Sequence, residues 1–163
     1  MQRIFPNALL ILMTLVTINS ASADDKEMIF RADSGLTKAE YLLAVGQYSA
    51  AIDTANQVLS RHPADADAYT YRGYALYRLG QNAEAAKNFK MALQLNPMHL
   101  GANKYLADTY LQSGDVSRAL EQMQVIRMAC GRADCEELNS LEREIDQYKS
   151  SGKPKEDKKD DKE

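Results

Sequence analysis

A period of 34 residues runs through the middle of this chain and limits what it can fold into. Gly46, Gly80 and Gly114 stand one period apart, as do Ala51, Ala85 and Ala119. Leu59 and Leu93 keep the same spacing, and so do Pro63 and Pro97. A fixed period of this length signals a solenoid, in which each unit is too small to bury its own apolar face and stacks on its neighbours. The clearest unit runs from Ala66 to Pro97, with Gly80 as a turn between two helical patterns and Pro97 as a stop.

The apolar residues inside each unit recur three and four apart, as on one face of a helix. In the first unit, Leu36, Ala39, Leu42, Leu43 and Val45 precede Gly46-Gln47; Tyr48, Ala51, Ile52, Ala55, Val58 and Leu59 follow it. The second carries Tyr69, Gly73, Leu76 and Leu79, then Ala85, Phe89, Ala92, Leu93 and Leu95. The third carries Leu106, Ala107, Tyr110 and Leu111, then Val116, Ala119, Leu120, Met123, Ile126 and Arg127. Small residues at Gly73 and Ala85 predict a close helix–helix approach, with Phe89 filling the space beyond. Asp115 is placed to cap the helix that follows it.

The period fails after the third unit, where Cys130-Gly131-Arg132-Ala133-Asp134-Cys135 replaces the expected proline. A last helix is expected from Glu136 to Lys149. Asp134 and Glu137 resemble a capping box at its start, and Leu138, Leu141, Ile145 and Tyr148 form one narrow apolar stripe. A solenoid end needs such an element, greasy on one face and wet on the other. The expected fold is therefore all-α: a right-handed helical solenoid of about three helix pairs (34–65, 66–99 and 100–133) with a C-terminal capping helix (134–149).

The flanks read differently. Met1-Gln2-Arg3, an uncharged apolar run from Ala8 to Ile18, and Ala21-Ser22-Ala23 have the form of a secretory signal peptide over 1–23. The apolar run is short for a membrane span, and membrane contact is expected only if the segment is retained. No cysteine stands at the cleavage site to take a lipid. The chain is expected to be exported, and periplasmic in a bacterium. Residues 24–33 form a polar leader around Met28-Ile29-Phe30. Residues 150–163 balance lysines against acids with no apolar side chain but Pro154, which predicts a solvated, disordered tail.

In chemistry the chain is sparse. With 20 basic and 23 acidic residues it lacks the basic excess of a nucleic-acid binder. No phosphate loop, Ser/His/Asp set or catalytic carboxylate pair stands out, so no catalytic residue, cofactor or small-molecule substrate is expected. His62 and His99 are far from the cysteines and read as exposed corner residues, and no metal site is expected. Cys130 and Cys135 are the only cysteines. In an oxidising compartment they favour a disulfide that pins the last helix to the third unit. The alternative is a redox-active pair, which would make the chain an accessory thiol–disulfide protein.

At these residues the chain resembles the tetratricopeptide repeat family, whose pattern is Trp-x2-Leu-Gly-x2-Tyr, then Ala-x3-Phe, then Pro. The second unit matches as Tyr69-x2-Arg72-Gly73-x2-Leu76, Ala85-x3-Phe89 and Pro97. The third gives Leu106-Ala107-x2-Tyr110 and Ala119-x3-Met123, and the first gives Ala39, Leu42, Gly46, Ala51 and Pro63. The resemblance implies a non-enzymatic protein–protein adaptor whose first helices line a concave groove for a partner segment. Tyr71, Tyr74, Tyr77, Arg78, Lys104, Tyr105 and Asp108 are the groove residues it implies, with Thr70, Gln112, Glu40 and Leu43 beside them. The family's carboxylate clamp is not implied, because Asp67, Tyr71, Tyr74 and Asp108 stand where its Lys, Arg and Asn side chains would be. The tyrosines either floor the groove or pack between repeats. Tyr69 is expected in the core.

Overall fold

The computed structural model describes residues 35–131 and 135–152. The expected signal segment, leader and most of the charged tail lie outside these residues. Helix α1 covers 35–44. It is followed by α2 (Tyr48–Arg61), α3 (Ala66–Arg78), α4 (Asn82–Leu95), α5 (Leu100–Gln112), α6 (Val116–Cys130) and α7 (Glu136–Ser151). No strand occurs among the described residues. Consecutive helices pack as antiparallel pairs, each pair stacks on the next, and α7 covers α5 and α6. The fold is the expected solenoid with its capping helix.

The period has a local cause at each turn. Gly46, Gly80 and Gly114 have φ of 76°, 75° and 80°, in the left-handed region that favours glycine. Each glycine N–H donates three residues back, and the next residue donates five residues back, to Leu42, Leu76 and Tyr110 respectively. That pair of bonds is the Schellman closure of a helix C-terminus. The other corners are set by Pro63 and Pro97. The residues before them, His62 and Asn96, have φ of −128° and −137°, extended as a following proline requires.

Two columns of small residues run through the stack. Ala39, Gly73 and Ala107 are buried, and so are Ala51, Ala85 and Ala119. Gly73 shows why: a Cβ there would lie 2.7 Å from Phe89 Cε1. The main core gathers Phe89, Leu106, Tyr110, Leu111, Met123 and Ile126 with Leu141 and Ile145 of α7. Burying those two side chains contributes roughly 3–6 kcal/mol toward docking the cap.

Some positions depart from the sequence reading. Val45 and Leu95 are exposed, each at or beyond the last turn of its helix, where the apolar stripe has rotated off the core. Arg127 is also exposed and bonds Glu142 of α7 at 2.8 Å. Tyr69 is half-buried against Val58 and Leu59 rather than enclosed. His99 is not a free corner residue. It is the N-cap of α5, at the repeat position that Asp65 fills for α3, and both accept a backbone N–H with their side chains. His62 is half-buried at the end of α2. Asp115 caps α6 as expected. The N-cap of α7 is Cys135, which makes no side-chain cap bond, and Asp134 lies outside the described residues. The same helix runs to Ser151, two residues beyond the expected end, and closes on Gly152 in the left-handed region.

Candidate functional site

The first helices of the second and third pairs, α3 and α5, contact each other, and a cleft opens where they converge with α7. Its volume is about 230 Å³. It is lined by Tyr74, Tyr77 and Arg78 of α3, by Lys104, Tyr105, Asp108, Leu111 and Gln112 of α5, and by Ser140 and Glu144 of α7. Helical spacing explains the set. Tyr74 and Arg78, and Lys104 and Asp108, are four residues apart and share a helix face.

The structure thus brings together Tyr74, Tyr77, Arg78, Lys104, Tyr105 and Asp108 of the seven groove residues named from sequence, and Gln112 of the four named beside them; Glu40 and Leu43 lie outside the lining. Tyr71 is half-buried outside this lining, among Glu40, Asp67 and Asp65. Burial, and then these carboxylates, raise its phenol above the ordinary tyrosine range. Thr70 is not a groove residue: it is buried and donates its hydroxyl to the Ala66 carbonyl. Ser140 and Glu144 could not be found by carrying the groove over from the repeats, because they lie on the cap.

The rings do two jobs. Tyr74 and Tyr105 lie 4.5 Å apart between centroids, and Tyr105 lies 5.8 Å from Phe89. They pack the second repeat onto the third while their other sides line the cleft. Arg78 donates to Tyr74 Oη at 3.0 Å and lies over the Tyr48 ring. Gln112 donates to Tyr77 Oη at 2.7 Å and accepts from Asn82 at 3.0 Å. Burial, with Tyr74 beside it, pushes the Tyr105 phenol up to about 12.

Charge concentrates at the floor. Lys104 Nζ lies 2.6 Å from Asp108 Oδ2 and 3.2 Å from Glu144 Oε1. Ser140 donates to the same Glu144 oxygen at 3.0 Å. Burial disfavours the lysine charge, yet the two carboxyl groups outweigh it and raise the Lys104 pKa. Asp108 is 5 % exposed. Burial pushes its carboxyl well above the ordinary range, and a hydrogen bond shared with Glu144 adds to that, against the pull of Lys104. For Glu144 burial acts upward, but its bonds to Asp108, Lys104 and Ser140 prevail and lower it. The two carboxyl groups are thus shifted in opposite directions, Asp108 upward and Glu144 downward.

At the C-terminal end of α6, Cys130 and Cys135 are joined as a disulfide with Cα atoms 6.0 Å apart, within the range a bridge spans. Cys135 is buried. No group of His, Cys, Asp and Glu with metal-site geometry occurs among the described residues, and no described helix is long and apolar enough to cross a membrane.

Comparison with known proteins agrees with this architecture. Tetratricopeptide repeat family models match residues 36–97 and 76–141. Among curated proteins, none matches the chain in sequence. Solved structures do. The Sgt2 TPR domain from Aspergillus fumigatus is 25 % identical with a TM-score of 0.62, covering 81 % of this chain and 90 % of that one. The TPR2B domain of yeast Sti1, in a complex with pHsp70, is 24 % identical with a TM-score of 0.63, covering 76 % and 98 %. The first TPR domain of Spaghetti (RPAP3), bound to the HSP90 peptide SRMEEVD, is 22 % identical with a TM-score of 0.63, covering 74 % and 94 %. Repeat spacing, glycine-closed turns, buried small-residue columns and both family matches lead to one conclusion: the chain belongs to the tetratricopeptide repeat family.

Proposed function

We propose that the chain is a non-enzymatic adaptor that acts in the cell envelope after export and holds a short segment of a partner protein on its concave face. The observation that carries this reading is the cleft itself, where Tyr74, Tyr77 and Tyr105 stand beside charged groups at the junction of two repeats and the cap. Tyrosine offers a large, stiff, amphipathic contact and is favoured at binding hot spots. Peptide binding by structural neighbours of the same fold supports the reading. The exported setting rests on the signal-like segment over 1–23.

The disulfide reading that fits best is structural. Cys135 is buried at the start of α7, which gives an attacking thiolate little access to its sulfur. The bond's place is at the corner where the cap leaves the third repeat.

The test uses cells producing the chain with a photo-crosslinker at Tyr74, and a second strain with it at Glu142, away from the cleft. Capture of a discrete partner from Tyr74 alone is the expected result. No capture from Tyr74, with mixed disulfides trapped at Cys130 or Cys135, would transfer the function to thiol exchange.

A further inference from the structure

The two ends of the solenoid are finished differently. At the C-terminal end α7 closes the stack, with its Leu141 and Ile145 buried and its Glu136, Asp146 and Lys149 exposed. That is how a repeat array keeps its last unit wet on the outside. At the N-terminal end α1 is the first described element, and its outward side carries Tyr41 at 64 % exposure and Val45 at 48 %. The Val45 N–H donates to the Tyr41 carbonyl at 3.0 Å, so the two side chains stand one helical turn apart on one side of α1.

The later repeats show what belongs on that side. One period after Tyr41 stands Ala75, which is fully buried and clusters with Leu42 and Ala51 of the preceding pair. Two periods after it stands Thr109, 6 % exposed. The flanking positions keep the same register. Arg72 donates to Asn56 of α2 at 2.8 Å, and Arg78 lies over the Tyr48 ring of α2. Gln112, one period after Arg78, bonds Asn82 of α4, one period after Tyr48. In α1 these positions are Lys38, Tyr41 and Ala44, and all three are exposed. The side of α1 that carries Tyr41 is therefore a stacking side, shaped to receive chain that comes before it. It bears apolar groups where a terminal repeat would be polar.

One segment has both the chemistry and the reach to cover it. Residues 24–33 hold the apolar trio Met28-Ile29-Phe30, with Lys26 and Glu27 before it and Arg31 after it. Gly35 is held at the start of α1, where a Cβ would lie 2.7 Å from Val58 Cγ2, so the leader enters the fold at a fixed point. From Gly35, Tyr41 lies about 9 Å and Val45 about 15 Å along the helix axis. Phe30 and Met28 precede Gly35 by five and seven residues, tethers of up to about 17 and about 24 Å. We infer that the leader folds back along α1 and lays Met28, Ile29 and Phe30 over Tyr41 and Val45, covering this end of the solenoid as a preceding repeat would. This cover is separate from whatever the cleft between α3, α5 and α7 binds.

The chain has no tryptophan, so Tyr41→Trp places a single reporter on this side, and Gln94→Trp on the exposed side of α4 is its control. The full chain is prepared with each reporter, with and without Met28→Ser, Ile29→Ser and Phe30→Ser together. With the native leader, emission from Tyr41→Trp should lie to the blue of Gln94→Trp and resist acrylamide. The serine leader should shift it to the red and leave Gln94→Trp unchanged. Amide exchange in α1 should quicken about tenfold with the serine leader and stay constant in α5. Circular dichroism establishes that each variant keeps its helices. A photo-crosslinker at Tyr41 identifies the occupant without tryptophan. Trypsin cuts after Lys26 and Arg31, so the expected product is a link within one chain to Glu27–Arg31. A link between two chains assigns this side to a second copy and overturns the leader, and so does a link to residues 1–23. Red, readily quenched emission with the native leader, or no link at all, also overturns it.

Discussion

Asp67 and His99 sit one repeat apart and meet: His99 Nε2 lies 2.8 Å from Asp67 Oδ1. The other ring nitrogen, Nδ1, accepts the Ala102 N–H at 3.2 Å. A nitrogen that accepts carries no proton, so Nε2 bears the hydrogen and donates it to Asp67. One side chain thus caps α5 and ties it to the start of α3.

His99→Ala removes both bonds, and with them the longer contact of Nε2 to Thr70 Oγ1 at 3.4 Å. It should cost about 1–2 kcal/mol, most of it from the cap, since Asp67 is largely exposed. His99→Asn can still cap but does not reach Asp67 in the same way, so its stability should fall between the two. Urea unfolding of the three chains checks this order.

Gly73 and Gly80 should fail for different reasons. A Cβ at Gly73 meets Phe89 at 2.7 and 2.8 Å, and Phe89 is fully enclosed. Gly73→Ala should lose about 1–3 kcal/mol to overpacking, less the gain in helix propensity. At Gly80 nothing lies within 4 Å of a Cβ, and the penalty is that of a positive φ, about 1 kcal/mol. Adding Phe89→Leu should relieve part of the Gly73→Ala defect and none of the Gly80→Ala defect. A double-mutant cycle for each pair measures that coupling.

The paired acids predict opposite pH responses. The Asp108 pKa in the fold lies above 3.8, its ordinary value. As pH rises past that value the unfolded chain loses the proton while the folded chain keeps it, so stability falls until folded Asp108 ionises. Glu144 lies below its ordinary 4.5, so its contribution is present above that value and is lost as pH falls through the folded pKa. Asp108→Asn should flatten the decline toward neutral pH and leave the acid limb. Urea midpoints across the pH range would show it, and an unaltered curve would mean that Asp108 is ionised in the fold.

Reducing Cys130–Cys135 should loosen α7 before the rest. The closed loop is short, so the bond contributes about 2 kcal/mol on the chain-entropy account. Amide exchange with and without reductant should accelerate in α7 and stay unchanged in α1 to α4. Since Ser140 and Glu144 form one wall of the cleft, reduction should also weaken whatever binds there.

The repeats were legible because their cause is local and recurs. A glycine with positive φ, a proline stop and a small residue at a helix crossing each leave the same letter at the same interval. Gly46, Gly80 and Gly114 marked three turns, and Ala51, Ala85 and Ala119 marked one buried column. Seven cleft residues were also readable, because register places equivalent side chains on the same face of α3 and α5.

What sequence alone determined, then, was the all-α repeat architecture, its turns and the face its first helices share. Tertiary structure decided what the period does not encode. Ser140 and Glu144 reach the cleft from a cap that follows no repeat, and His99 caps where the preceding repeat has Asp65. Thr70 withdrew from the groove by bonding its own helix, and Val45 and Leu95 turned outward at helix ends. The state of Asp108 was least visible of all. Its charge depends on burial and on Glu144, 36 residues away in the chain, which only packing brings beside it.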